Sequence, residues 1–144
     1  MAETYAIADL NADRLLCAGE RAKGWSDNLF LGRRSPEKKE EDGIFGEAGE
    51  IVTEIIAPSL TRHPDRFQDH EGTALLGGTE ITGIIETKVL KEKSLEQAVP
   101  AINRSRSKRK VDWFILHFGD RENMTITPWA LAKVIDGEII LNLL

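Results

Sequence analysis

A mixed α/β (α+β) fold, with a central mixed sheet flanked by helices in three layers, is what the sequence predicts, on three observations. Ile44, Phe45, Ala48, Ile51, Val52, Ile55 and Ile56 recur at i, i+3, i+4, i+7, the stripe of an amphipathic helix. Gly77-Gly78 separates two extended segments, Thr73–Leu76 and Thr79–Leu90, as the loop of a two-residue hairpin. Val111–Phe118 is a dense apolar run rich in β-formers, as expected of a central strand buried on both faces.

The remaining elements follow in order. Leu10, Leu15, Leu16, Cys17, Ala18 and Ala22 predict a first helix between Asp9 and Lys23, capped by Asp9 or Asn11 and stopped at Gly24. Trp25–Gly43 holds Gly32, Pro36 and a Glu/Lys run, a composition that predicts a surface loop able to order on a partner. The second helix ends near Pro58, and Thr61–Gly72 reads as a loop. Ser94 and Gln97 suggest a capping box for a third helix reaching about Lys110, with Pro100 in its first turn or at a kink. Beyond the apolar run, Met124–Thr127 predicts a short strand, Pro128–Lys133 a helical turn, and Asp136-Gly137 a turn into an edge strand over Glu138–Leu143.

The 144 residues, 41% hydrophobic and 30% charged, suit a single domain over 1–144, with a helix and loop over 1–43 and a core over 44–144. No run approaches the roughly 18 apolar residues of a membrane span, and Met1–Leu10 lacks a secretion signal, so no membrane association and a cytoplasmic location are expected. One cysteine and three histidines exclude a disulfide scaffold and a zinc finger. Gly43-x-x-Gly46-x-x-Gly49 follows no strand and does not match a phosphate loop. The net charge of −5 argues against coating nucleic acid through bulk charge, yet Arg104, Arg106, Lys108, Arg109 and Lys110 crowd one short stretch.

The chemistry concentrates on the hairpin. A period of two puts Glu86 and Lys88 on one strand face, and with Gly77-Gly78 as the loop, Thr73 faces Thr82 and Asp69 faces Glu86. A bulge at Gly72 or Gly83 would slip that register by one and turn Asp69 away. Two carboxylates about 5 Å apart at Cβ suit one oxygen-ligated divalent cation, Mg²⁺ or Mn²⁺, able to activate a water toward a phosphodiester. Lys88 would position or deprotonate that water and stabilise the charge building on phosphate.

An acidic helix, an Asp entering a hairpin, Glu86-x-Lys88 on its second strand, then a helix and a buried strand resemble the PD-(D/E)XK nucleases, the restriction-endonuclease-like superfamily. The resemblance covers roughly residues 44–118 and implies a restriction-endonuclease-like core. Glu86 and Lys88 match its Glu-x-Lys element, Asp69 its metal-binding Asp, and Glu50 its helical Glu, with Glu47 as runner-up. Pro64-Asp65 spells the family motif literally, but Asp65 would face Leu90, which favours Asp69. The implied function is a Mg²⁺-dependent DNA endonuclease acting as a homodimer, in which Asp69, Glu86 and Glu50 hold metal and the basic stretch Arg104–Lys110 contacts the phosphate backbone.

Each residue also has a plainer role. Glu86 and Lys88 could form a solvated cross-strand ion pair, Glu47, Glu50 and Glu54 a water-facing helix side, and the basic stretch an ordinary helix C-terminus. His117, alternating with inward residues, reads as a hydrogen-bonded core histidine, and the tryptophans as packing or interface residues. The competing functions are a non-catalytic nucleic-acid-binding or assembly module on the same fold, and a protein-binding regulator using Trp25–Gly43.

Overall fold

Three helices and a curled mixed sheet of seven strands make up the described residues of the computed structural model, which are 3–24, 35–62 and 69–144. The elements run β1 (Tyr5–Ala6), α1 (Ala12–Lys23), α2 (Pro36–Ile56), β2 (Thr61–Arg62), β3 (Asp69–Leu76), β4 (Thr79–Leu90), α3 (Leu95–Lys108), β5 (Trp113–Asp120), β6 (Thr125–Ile135) and β7 (Glu138–Leu143). The sheet order is β1-β6-β5-β4-β3-β2, with β7 also paired to β6. All pairs are antiparallel except β4 and β5, which α3 joins as a crossover. Asp112 closes that crossover, its N–H donating to Ile84 O at 2.8 Å and its Oδ2 accepting from Ile84 N at 2.7 Å.

The hairpin has the register expected from the glycine pair, running from Leu76 opposite Thr79 to Asp69 opposite Glu86. Gly72 and Gly83 face each other and both take positive φ, 130° and 113°, a backbone conformation that residues without a Cβ adopt readily, and the register runs through them with no residue inserted. Alternation then sorts the sheet into two faces. On one, Phe45, Ala48, Ile51 and Val52 of α2 pack with Leu15 of α1, Val89 and Ile126, and Ile81, Ile85, Ile115 and Leu131 continue the core. On the other, Ala98, Ala101 and Ile102 of α3 pack on Leu90, Phe114, Leu116, Ala130 and Ala132.

Four expectations are corrected. Trp25–Gly43 is not a loop throughout, because helix α2 begins at Pro36: Ser35 Oγ accepts from Lys38 N at 3.3 Å, and proline suits a first helical position. Residues 25–34 lie outside the described residues. The Thr61–Gly72 loop contains β2 and the start of β3, with Arg62 opposite His70. Pro128–Lys133 is strand, not a helical turn. Pro128 is tolerated there because it falls between the two strands on that side, β1 ending its pairing at Ile126 and β7 beginning at Ala130, and because the β5 register shifts beside it. Finally, Gln97 does not complete a capping box; Ser94 caps α3, while Gln97 Oε1 accepts from Lys91 N and Glu92 N, both at 3.1 Å.

Two of the three glycines of α2, Gly43 and Gly49, are contact points. A Cβ at Gly43 would lie 2.5 Å from Ala22 Cβ and 2.7 Å from Ala18 O, so glycine is what lets α1 and α2 touch backbone to backbone. Gly43→Ala is therefore expected to cost about 1–3 kcal/mol through overpacking, as a lower urea midpoint at unchanged slope. Gly46→Ala, whose Cβ meets nothing within 4 Å, should be neutral or slightly stabilising. Equal midpoints for the two variants would show that the helices do not approach this closely.

Candidate functional site

The candidate site forms around the C-terminal part of β4. Described pairing on that side stops at Asp69 opposite Glu86, while Thr87–Leu90 continue beside β5. Around this part of β4, α2 from one face and α3 from the other flank a cleft of about 810 Å³, lined among others by Glu50, Lys88, Arg104, Lys108, Arg109 and Arg121. Its position explains how side chains from opposite faces of one strand reach a common space.

On the α3 face, Asp69 and Glu86 are both buried, at 0% and 2% exposure. Arg109, the residue capping α3, contacts Glu86 Oε1 through Nη2, and the same nitrogen lies 3.5 Å from Asp69 Oδ1. Lys88 Nζ is 3.9 Å from Glu86 Oε2, an oxygen that makes no hydrogen bond among the described residues. Burial, reinforced by the nearby Arg109 and Arg104 and opposed by Glu86, lowers the Lys88 pKa below the ordinary lysine value.

On the α2 face, successive residues of β3 point oppositely, so His70 turns away from Asp69 and meets α2. Its Nδ1 lies 3.2 Å from Glu50 Oε2 and its Nε2 3.0 Å from Glu54 Oε2. Carboxylates at both ring nitrogens favour the doubly protonated imidazolium. Burial alone would lower the His70 pKa, but Glu50 and Glu54 outweigh it and raise it. Burial pushes Glu50 up to about 7, despite His70. Glu54 is held at about 2: burial would raise it, and Arg14, His70 and Arg62 together prevail. Glu47 is buried against Arg14 at 2.6 Å and Arg62 at 2.9 Å.

The residues expected from sequence thus divide. Asp69, Glu86 and Lys88 come together, with Arg109 added to them. Glu50 lines the cleft but pairs with His70 rather than joining the two acids, and Glu47 belongs to the Arg14–Arg62 network. Asp65 lies outside the described residues. Arg104 and Lys108, one helical turn apart, line the cleft with Arg109; Arg106 does not, and Lys110 turns to Asp112 at 3.9 Å. Helix α2 does not show Glu47 and Glu50 to water as a plain amphipathic helix would, since they are 4% and 3% exposed. His117 is the buried core histidine expected, its Nε2 2.9 Å from Thr53 Oγ1, and burial drives its pKa down to about 3. His70, Arg14, Arg62 and Arg121 were missed. The i, i+4 spacing of Glu50 and Glu54 was the available signal, since two acids on one helix face beside an apolar stripe call for a cation opposite.

Among the described residues no group of three or more His, Cys, Asp or Glu side chains converges to hold a metal ion. The Asp69–Glu86 pair nevertheless offers what a hard cation uses: two buried carboxylates, one with an oxygen making no hydrogen bond, already needing a positive partner. No family model, curated protein or solved structure significantly matches the chain. No helix among the described residues is long and apolar enough to cross a membrane.

The shifted groups fix the direction of a pH dependence. Glu50 has a folded pKa above its ordinary 4.5 and His70 one above 6.5, so the native state binds the extra protons and stability is lost as pH rises from about 4.5 toward and beyond 7. Glu54 has a depressed pKa, so its contribution is present above 4.5 and is lost as pH falls toward 2. His117, held down at about 3, opposes Glu50 between about pH 4.5 and 6.5, because there the unfolded imidazole binds the proton, so the stability maximum is expected on the acid side of neutrality with the net loss coming as pH rises past about 6.5. Denaturant midpoints that climb steadily from pH 5 to 8 would contradict this assignment.

Proposed function

We propose that the protein is a Mg²⁺-dependent DNA endonuclease of PD-(D/E)XK type, hydrolysing a phosphodiester with Asp69, Glu86 and Lys88 at the reacting centre. The observation that carries this reading is the buried Asp69–Glu86 pair, opposed across the hairpin, with Lys88 beside it and a cationic cleft adjoining. The order acidic helix, hairpin, Glu-x-Lys strand, crossover helix, buried strand, which runs from α2 to β5, supports the same reading.

Asp69 and Glu86 would hold the cation, which supplies Lewis-acid activation of water and of the phosphoryl oxygens. Two carboxylates suffice for Mg²⁺, which keeps much of its water shell and takes further ligands from phosphate, and Mn²⁺ would substitute. Lys88, its pKa lowered by burial, holds or moves a proton at Nζ next to the attacking position and stabilises charge on the phosphate. Glu50 supports the site from the α2 side of the cleft, close enough to bias both Lys88 and Arg109 electrostatically. Arg104 and Lys108 present cations along one side of α3 to a phosphate backbone. Because one small domain addresses one strand, cleavage of a duplex would use a symmetric homodimer.

One observation favours a second reading. Arg109 already contacts both acids with one positive charge, as it would in a non-catalytic nucleic-acid-binding module that has kept the fold. The two readings part in a cleavage assay on plasmid, linear, single-stranded and four-way-junction DNA with Mg²⁺, Mn²⁺ or EDTA. Metal-dependent cutting is expected, falling by roughly 100-fold or more in Glu86→Ala and Lys88→Ala with DNA binding retained. Retained cutting by Lys88→Ala would sink the mechanism, and absence of cutting with binding intact would favour the module. Neutralising Arg104 and Lys108 together is expected to weaken binding and to lower the salt slope by about 2. Unchanged affinity would remove α3 from the interface.

A further inference from the structure

Arg109 is the residue in which the carboxylate pair and the cleft meet. Its backbone is extended, just past the last turn of α3, so its side chain leaves the helix end and reaches back to β3 and β4. The contact it makes is incomplete for an arginine. A guanidinium matches a carboxylate best through two parallel N–H donors, whereas Arg109 uses the single nitrogen Nη2 toward both Glu86 Oε1 and Asp69 Oδ1. Its buried Nε makes no hydrogen bond among the described residues, and neither does Glu86 Oε2. About a third of the side chain remains exposed on the cleft side, where Arg104 and Lys108 stand. A charge needed by two buried acids is thus supplied at the end of a long side chain, through one nitrogen shared between them.

Building on the reading above, we propose that Arg109 is the exchangeable counter-ion of the Asp69–Glu86 pair: a divalent cation replaces its guanidinium between the carboxylates, and the released arginine turns into the cleft to take a phosphate oxygen. Without the cation, Arg109 keeps two buried anions from facing each other uncompensated. With the cation, the same arginine would add a positive charge to the phosphate-binding side, so occupation of the acid pair and binding of the polyanion reinforce each other. Linkage requires the reinforcement to be reciprocal. The divalent cation and the arginine compete for one pair of oxygens, which gives the proposal a readout independent of turnover.

The test is Mn²⁺ binding by the full chain without nucleic acid, followed by electron paramagnetic resonance of the free ion. Removing the competitor should let Arg109→Ala bind Mn²⁺ roughly tenfold or more tighter than the unmodified protein. Arg109→Ala should also lose thermal stability in EDTA and regain it in Mn²⁺, a larger metal-dependent rise in Tm than the parent protein shows. Arg109→Gln, which keeps side-chain bulk without charge, carries the same expectation if the alanine variant does not fold. A second readout uses Lys88→Ala as background and a short DNA duplex in fluorescence anisotropy. Mn²⁺ should tighten duplex binding more when Arg109 is present than in the Arg109→Gln double variant. Unchanged or weaker Mn²⁺ affinity in both Arg109 variants, with Glu86→Ala still abolishing Mn²⁺ binding, would overturn the exchange and leave the metal site standing. No Mn²⁺ binding by any of these proteins would overturn the exchange and the metal site together.

Discussion

Two carboxylates buried face to face, Asp69 and Glu86, are the constraint on which the rest of the arrangement depends. Like charges at cross-strand distance in a dry setting are costly unless a cation answers them, and removing water from either one adds several kcal/mol of desolvation. The fold answers with Arg109 from the end of α3 and Lys88 from β4. That answer works in only one register. A slip of a single residue would send Asp69 to the α2 face and His70 to the α3 face, placing imidazole beside Arg109 and a third acid beside Glu50 and Glu54. The glycine loop at 77–78 and the facing pair Gly72 and Gly83 are therefore part of the electrostatics as well as of the hairpin.

The second dependence is on the approach of α2 to β4. Helix α2 could not approach that strand with a side chain at position 49, where a Cβ would meet Val89 and Thr87, and Gly49 is what brings Glu50 to the cleft. Next to it, Thr53 Oγ1 lies 2.7 Å from Thr87 Oγ1 and 2.9 Å from His117 Nε2, a polar seam inside an apolar layer. Paired polar groups in such a place fix one relative position of helix and strand, because sliding either would leave several groups unsatisfied at once. The strand consequently carries two electrostatic systems, one on each face. Glu47, Glu50 and Glu54 with Arg14, Arg62 and His70 lock the α1–α2–β2 side, while Asp69, Glu86, Lys88 and Arg109 form the other.

How much of this the sequence disclosed depended on the range of the interaction. The hairpin, its register and the pairing of Asp69 with Glu86 were legible because a two-residue glycine loop and a period of two leave little freedom. The start of α2 at Pro36 was available in Ser35-Pro36 but was outweighed by the polarity of the segment, which is that of a solvated helix end. Strand β6 was misread at Pro128 because its tolerance rests on which neighbours pair where along the strand, a property of the assembled sheet. The same holds for Glu50. Its place on the helix was correct, yet whether it faces the acids or His70 is decided by the alternation of β3 against α2, which no local pattern records. Arg109 was visible as one of five cations, and only the crossover geometry separates it from Arg106 and Lys110.

A chain of net charge −5 lines its cleft with more cations than acids, and ion pairs answer the acids within and around it. Glu47 and Glu54 are answered by Arg14 and Arg62 away from α3, and Glu41 and Asp42 by Arg121, whose guanidinium also lies 4.0 Å from the ring centroid of Phe45. Pairing shortens the reach of each acid's field, since a neutralised charge acts over a distance far below the roughly 8–10 Å Debye length at ordinary salt. The cations that α3 brings to the cleft are Arg104 and Lys108, with Arg109 shared between them and the buried acids. The overall charge then limits non-specific attraction, while the local field acts at the range where a phosphate would already be entering the cleft. Affinity in such a design comes late in the approach, and the state of the acid pair has a direct say in it, because the cation nearest to Glu86 and Asp69 belongs to both systems.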